Sequence, residues 1–411
     1  MTILVRNIAN VVTEAVEKSQ MQKINIAREL GLTLPQLSRY LSGKRPFDLK
    51  SLDGITELLG LSKGYFYDEY IQDCWHAPRN RNSRIENFLW HTKSNGKEEY
   101  TSKMVNLLLD SGKGLDDLYK AGENFYKNGM NDEALYFFNL VIENERNRLA
   151  ECLALSYYRR FMIVRDWDMD YAFEAATKLG EHVRTLSGKV MYEAYINIMT
   201  IFYVLDKWEH LLKYGYEVSS VMERSKDRDL FLYAKCLSYL GFAYRHNKQY
   251  DKALETHKKC GQLPGETFKI WEELNCCVVL LESGQQEKVY ELINLTLKYK
   301  SEAPNHLDHI FSAFVKRKSY DEMDSFLPQF ANEIKELFAK KDPYNKKRAI
   351  RVRLLLADFY INQGRHEEAA YSMKTALHLA RQLRLTNQVD ECIRMLNRFG
   401  KNDIELICSA I

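Results

Sequence analysis

Leu118-Tyr119-Lys120-Ala121-Gly122-Glu123-Asn124-Phe125-Tyr126, a break through Gly129, then Glu133-Ala134-Leu135-Tyr136-Phe137-Phe138: this stretch carries the period of two short helices joined by a turn. The same cadence returns in Leu237-Ser238-Tyr239-Leu240-Gly241-Phe242-Ala243-Tyr244 with Tyr250-Asp251-Lys252-Ala253-Leu254. It returns again in Leu355-Leu356-Ala357-Asp358-Phe359-Tyr360 with Gly364-Arg365-His366-Glu367-Glu368-Ala369-Ala370. In each copy a small residue (Gly122, Gly241, Ala357) stands where a neighbouring helix must cross closely. An aromatic follows three residues later, and an alanine marks the crossing on the second helix (Ala134, Ala253, Ala369). Helix pairs of this kind bury their apolar faces by stacking, so the body of the chain is expected to be all-α.

The pattern resembles the tetratricopeptide repeat, whose small, aromatic and alanine positions these three copies keep. Weaker copies place second-helix anchors at Ala172, Leu211, Val289 and Met323. The resemblance implies about seven helix pairs stacked into a right-handed α-solenoid over residues 100–383. Residues 384–411, with Val389, Cys392, Ile393, Leu396, Ile404, Leu406 and Ile407, read as C-terminal capping or dimerisation helices.

A different pattern occupies residues 1–72. Apolar residues at 24, 26, 27 and 30, then at 34, 37, 40 and 41, place a buried stripe on each of two short helices, and Gly31 between them supplies the positive φ of a tight turn. Thr33 suits an N-cap and Pro35 a first turn, so the second helix starts near 33 and turns Leu34, Gln36 and Arg39 outward. Gln fits adenine and Arg fits guanine in a major groove, while Lys23, Ser38, Lys44 and Arg45 stand where phosphates would pass. A small bundle with a solvated polar face is the plainer alternative. Through Ala27-Arg28-Glu29-Leu30-Gly31, Ser38-Arg39 and Gly43-Lys44-Arg45, residues 6–70 resemble the Cro/repressor-like helix-turn-helix bundle. Lys23 departs from it, standing where that family usually has Gln. The resemblance implies double-stranded DNA contact through Lys23, Thr33, Leu34, Pro35, Gln36, Ser38, Arg39, Lys44 and Arg45. Residues 73–99 read as a linker holding a helix near Arg84–Trp90, with Arg79, Arg81 and Arg84 either grazing the DNA backbone or simply solvated.

Composition limits the other possibilities. The net charge is +3, yet Lys and Arg outnumber Asp and Glu by 8 to 4 within the first 50 residues, so positive charge gathers on the candidate reader. No apolar run approaches the roughly 18 residues of a membrane span, and no signal peptide is evident, so a cytoplasmic location is expected. Eight cysteines lack metal or disulfide spacing. No phosphate-binding, nucleophile-elbow or zinc-protease motif occurs, so neither enzymatic activity nor a cofactor or metal is expected. His306 and His309 read as an ordinary helix start after Pro304.

A stack of helix pairs presents a concave groove lined by first helices. From the repeat register that groove takes Tyr157, Phe161, Thr200, Tyr203, Ser238, Phe242, Arg245, Arg351, Asp358 and Asn362, with Tyr158, Asn197 and Asn275 one position off. Such groups suit an extended peptide, whose N–H and C=O groups need partners and whose carboxylates would meet Arg245 and Arg351. A helix-turn-helix followed by tetratricopeptide repeats resembles the peptide-pheromone receptors of Gram-positive bacteria and their mobile elements: the Rap, NprR, PlcR, Rgg and PrgX receptors and the arbitrium receptors of temperate phages. That resemblance implies a homodimeric, cytoplasmic transcriptional regulator controlled by a short signalling peptide. Two alternatives stand beside it: a constitutive DNA-binding regulator whose repeats dock a protein, and a Rap-like response-regulator antagonist or phosphatase.

Overall fold

The computed structural model describes residues 7–77 and 80–396, and among them every regular element is helical. The chain divides into two compact units, residues 1–156 and 157–411. The first holds α1 (Ile8–Lys18), α2 (Lys23–Glu29), α3 (Leu34–Leu41), α4 (Leu49–Leu58), α5 (Tyr67–Trp75), α6 (Arg81–Ser94), α7 (Glu98–Asp110), α8 (Leu115–Lys127) and α9 (Asn131–Asn144). The boundary falls within α10 (Glu151–Val164).

In the first unit, Val12, Val16, Ile26, Ala27, Leu37, Leu52 and Ile55 close a small core among α1–α4. Gly31 takes φ 63° in the turn, which a side chain would strain. Ile24 was expected in the buried stripe but is 53 % exposed. At about 100° per residue it is turned about 160° from Ile26 and about 120° from Leu30. The stretch read as a linker is built into the unit. Its helix α6 runs longer than Arg84–Trp90 and buries Ile85, Phe88, Leu89 and Thr92 against α5, α7 and α8. Arg81 pairs with Asp117 at 3.1 Å and Arg84 with Asp73 at 2.6 Å, so both serve internal contacts rather than a DNA backbone. Arg79 lies outside the described residues. Helix α5 begins at Tyr67, whose hydroxyl donates to Asp53 at 2.8 Å.

The second unit continues with α11 (Met169–His182), α12 (Gly188–Val204), α13 (Trp208–Arg224), α14 (Leu230–His246), α15 (Tyr250–Gly261), α16 (Glu266–Glu282), α17 (Lys288–Lys298), α18 (Leu307–Arg317), α19 (Tyr320–Phe326), α20 (Ala331–Ala339), α21 (Pro343–Asn362), α22 (His366–Gln382) and α23 (Thr386–Leu396). Consecutive helices pair as the repeat requires: α8 with α9 in the first unit; α12 with α13, α14 with α15, α16 with α17, α18 with α19 and α21 with α22 in the second. The crossings explain the small residues. A Cβ on Gly122 would stand 2.7 Å from Phe138, and one on Gly241 only 2.3 Å from the His257 ring. The anchors Ala134, Ala253 and Ala369, and the weaker Ala172, Leu211, Val289 and Met323, all have 0 % exposure. This is an all-α, tetratricopeptide-type array of helix pairs. Helix α23 packs on α21 and α22 through buried Cys392, while Ile404, Leu406 and Ile407 lie outside the described residues. No described helix is long and apolar enough to cross a membrane.

Candidate DNA-reading helix and ligand cleft

The start of α3 is fixed by its own side chains. Thr33 Oγ1 accepts the Gln36 backbone N–H at 3.3 Å, and Gln36 Oε1 accepts the Thr33 N–H at 2.8 Å, a reciprocal cap made possible by their three-residue spacing. Pro35 occupies the first turn, where no N–H is needed. Leu37, Tyr40 and Leu41 face the core, and Tyr40 donates to Asp48 at 2.5 Å while stacking on Phe47. Asp48 in turn caps α4 through the Ser51 N–H. Burial alone would raise the Asp48 carboxyl, but hydrogen bonds from Tyr40 and Ser51 bring it below its ordinary value.

The opposite side of α3 is open. Leu34 is 44 % exposed, and Lys23, Ser38, Arg39, Lys44 and Arg45 are exposed with it. Arg45 lies over the Tyr40 ring at 5.1 Å, and its backbone N–H donates to the Arg39 carbonyl, which ties the basic turn to the end of α3. Every expected reader residue except Gln36 is therefore exposed, and the cations among them stand at the start of α2, on α3 and in the turn after it. Gln36 is the exception in kind: its side-chain oxygen serves its own helix, leaving only the amide nitrogen for an outside partner.

In the second unit, seven of the thirteen groove positions come together. Tyr203, Phe242, Arg245 and Arg351 line a cleft of about 210 Å³ with Asp206, Trp208, Glu282 and Lys347. Thr200, Ser238, Asn275 and again Phe242 line a second cleft of about 330 Å³ with Lys235, Tyr239, Trp271, Glu302, His306, Tyr344 and Arg348. Phe242 borders both.

The remaining six positions belong elsewhere. Phe161 has 0 % exposure and Tyr158 only 4 %, so both are core residues rather than groove residues. The loose period of the weaker copies places their register one helical face off. Tyr157 stacks on His182 at 4.7 Å. Asn197 accepts from Arg165 at 2.7 Å and donates to the Glu193 carbonyl. Asp358 is buried and accepts from Tyr320, and Asn362 donates back to the Asp358 carbonyl.

The first cleft is wired by charge. Glu282 sits 3.0 Å from His309 Nδ1 and 3.4 Å from Arg245 Nε, and Asp308 sits 3.1 Å from Arg351 and 3.5 Å from Arg348. Burial would raise both carboxyls. Arg245 and His309 nevertheless hold Glu282 down at about 2, and His309, Arg351 and Arg348 hold Asp308 far below its ordinary value. Lys347 reaches across from α21 to α12, donating to the Tyr203 carbonyl at 2.8 Å and to Asp206 at 2.6 Å. Arg245 and Arg351, read as open grips for a carboxylate, are thus already paired.

In the second cleft Trp271 Nε1, His306 Nδ1 and Arg348 Nε are buried without a hydrogen-bond partner among the described residues, as Trp208 Nε1 is in the first. Burial drives the His306 ring well below its ordinary pKa, so it is neutral. Asn275, 8 % exposed, makes no side-chain hydrogen bond among the described residues. Buried polar atoms are almost always partnered, and one left alone costs about 1–3 kcal/mol; three such atoms belong to residues that line this cleft. Sequence reasoning missed Lys235, Trp271, His306, Tyr344 and Arg348. The one signal was the basic run Lys346-Lys347-Arg348 at the start of a helix, which is ordinarily a solvated face. Seven cysteines among the described residues are free, and no group of three metal-ligating side chains occurs there.

The tetratricopeptide repeat model matches residues 118–147, the α8–α9 pair. No curated protein matches the chain. Among solved structures, PlcR of Bacillus thuringiensis in complex with the peptide PapR7 and DNA is 12 % identical, covering 78 % of this chain and 99 % of that one, with a TM-score of 0.25. The tetratricopeptide domain of P58(IPK) is 13 % identical over 95 % of this chain and 99 % of that one, at 0.24. A circular tandem repeat protein is 12 % identical over 99 % and 88 %, at 0.16. At such scores none of the three superposes closely on this chain.

Proposed function

We propose that this chain is a DNA-binding transcriptional regulator, without enzymatic activity, whose operator affinity is set by a short oligopeptide held in the second unit. The observation that carries the reading is the second cleft, where the Trp271 indole N–H on α16 and the Arg348 Nε–H on α21 have no acceptor among the described residues. A peptide main chain offers a carbonyl every residue, and aromatic walls from Tyr239, Phe242, Trp271 and Tyr344 would take its side chains. The exposed basic face of α3 supports the other half of the reading. In a major groove Arg39 would address guanine and Leu34 a thymine methyl, while Lys23, Lys44 and Arg45 would meet phosphates. The chain would act as a cytoplasmic homodimer reading two half-sites. The charge-paired first cleft leaves the second as the better seat for the ligand.

The test is selection of operator sequences from random duplex DNA with the full chain, followed by binding measurements on variants. Arg39→Ala should relax sequence preference at the base pair it reads, at a cost of about 1–3 kcal/mol against the best site. Lys44→Ala should weaken all sequences alike and reduce the salt slope by about one. Gln36→Ala is a poor probe, because it also removes a helix cap. An Arg39→Ala protein that footprints the same operator with unchanged preference would show that α3 is not the reader.

A further inference from the structure

Lys235 is the one cation of the second cleft with no answering group. It projects from α14, half-buried, and forms neither an ion pair nor a hydrogen bond among the described residues; its Nζ rests 4.6 Å from the centroid of the Phe231 ring. Of the other charges there, Arg348 faces Asp308 at 3.5 Å, while Glu302 accepts from the neutral Asn305 amide at 3.0 Å and has no ion-pair partner among the described residues. Asp229, the acid nearest to Lys235 in the chain, caps α14 and pairs with Lys189 at 3.1 Å. Burial lowers the pKa of Lys235, so its charge is held there at a cost.

Trp271, on α16, packs against the same Phe231 ring at 5.6 Å between centroids, and its indole N–H is buried without an acceptor. Phe231 itself is 46 % exposed. An ammonium and an indole therefore pack on one half-exposed ring at the edge of the cleft, and neither Lys235 Nζ nor Trp271 Nε1 has an acceptor among the described residues. A carboxylate is the group that satisfies both: it balances the charge and accepts from two donors at once, and charge-assisted bonds of this kind are about twice as strong as neutral ones.

We propose that Lys235 and Trp271 form the anchor for a carboxylate of the bound peptide, with the neighbouring apolar side chain lying on Phe231 and reaching toward Phe242. This rests on the reading of the second unit as a peptide receptor. The carboxylate belongs either to the peptide's C-terminus or to an Asp or Glu side chain, and both offer the same chemistry to Lys235.

The experiment incubates the full chain with a degenerate hexapeptide library bearing free C-termini and, separately, with the same library amidated, and identifies retained peptides by mass spectrometry after ultrafiltration. The anchor predicts that the wild-type protein retains peptides from the acid library. If the C-terminus is the anchor, retention falls at least tenfold on amidation. If a side chain is the anchor, the peptides retained from both libraries share an Asp or Glu at one position. Individual retained peptides should bind Lys235→Met at least tenfold more weakly and Trp271→Phe severalfold more weakly, with Lys235→Arg recovering most of the loss. Retained peptides with neither dependence on amidation nor a shared acid would overturn the anchor, as would unchanged binding to a folded Lys235→Met protein; in both cases the peptide reading survives. The comparison of the two libraries uses only the wild-type chain, so it decides the matter even where a variant fails to fold. Retention of no peptide from either library would overturn the peptide reading itself, and the anchor with it.

Discussion

His257 shows how much one position is asked to bear in a stack of helix pairs. Its ring lies against Gly241, where the α14 backbone comes too close for any side chain, and it is 1 % exposed with neither nitrogen hydrogen-bonded. Burial, helped by the charge of Arg245, pushes its pKa down to about 3 from an ordinary 6.5. Between those values the unfolded chain binds a proton that the folded chain does not, so stability is complete above pH 6.5 and declines as the pH falls toward 3. At pH 5.5 this residue alone should cost about 1.4 kcal/mol. Thermal or urea unfolding of the full chain at pH 7.5 and 5.5 should show that loss, and His257→Leu should reduce it; an equal pH dependence in the variant would mean that other groups carry the acid sensitivity. Tyr40 and Asp48 show the same economy in the first unit, where one hydroxyl and one carboxylate join the end of α3 to the start of α4.

At the scale of elements, the second unit depends on where α21 lies. Lys347 crosses from it to α12 to meet the Tyr203 carbonyl and Asp206, a contact between residues 141 positions apart, and Arg384 pairs with Asp168 at 2.9 Å near the start of α11. Breaking a buried ion pair by removing one partner costs about 3–5 kcal/mol, so Lys347→Ala should destabilise the second unit by about 3 kcal/mol. Amide hydrogen exchange should report the loss in α12 and α21 together; a variant with unchanged protection would show that packing, not the charge pair, fixes α21. The helices themselves were legible in the sequence, because Gly122, Gly241 and Ala357 mark crossings that only small residues permit. So was Thr33 as an N-cap, whereas Gln36, read as a base contact, turns its side-chain oxygen back onto the Thr33 N–H. The cleft was half legible: Thr200, Tyr203, Ser238, Phe242, Arg245 and Arg351 follow from the repeat register, and Asn275 lies one position off it. Phe161 and Tyr158 do not, because a period ranging from roughly 34 to 46 residues lets a weak copy rotate by a helical face. His306, Arg348 and Lys347 were hidden for another reason. Charged and imidazole groups on a helix are usually solvated, and only the tertiary packing of α18 and α21 buries them.

For the molecule as a whole, the account requires that two binding events, on separate compact units, share free energy. Linkage is reciprocal: whatever factor the peptide applies to operator affinity, the operator must apply to peptide affinity. A coupling of about 1–3 kcal/mol corresponds to a 5- to 150-fold change and would suffice for a genetic switch. No route for that coupling is needed to test it. The most direct measurement is the affinity of the full-length protein for its selected operator, by fluorescence anisotropy at fixed salt, with and without a saturating peptide recovered from the library, paired with the peptide's affinity with and without operator. The account predicts a change of at least fivefold in the first and the same factor in the second. Operator affinity that stays the same at saturating peptide, with the peptide demonstrably bound, would contradict it.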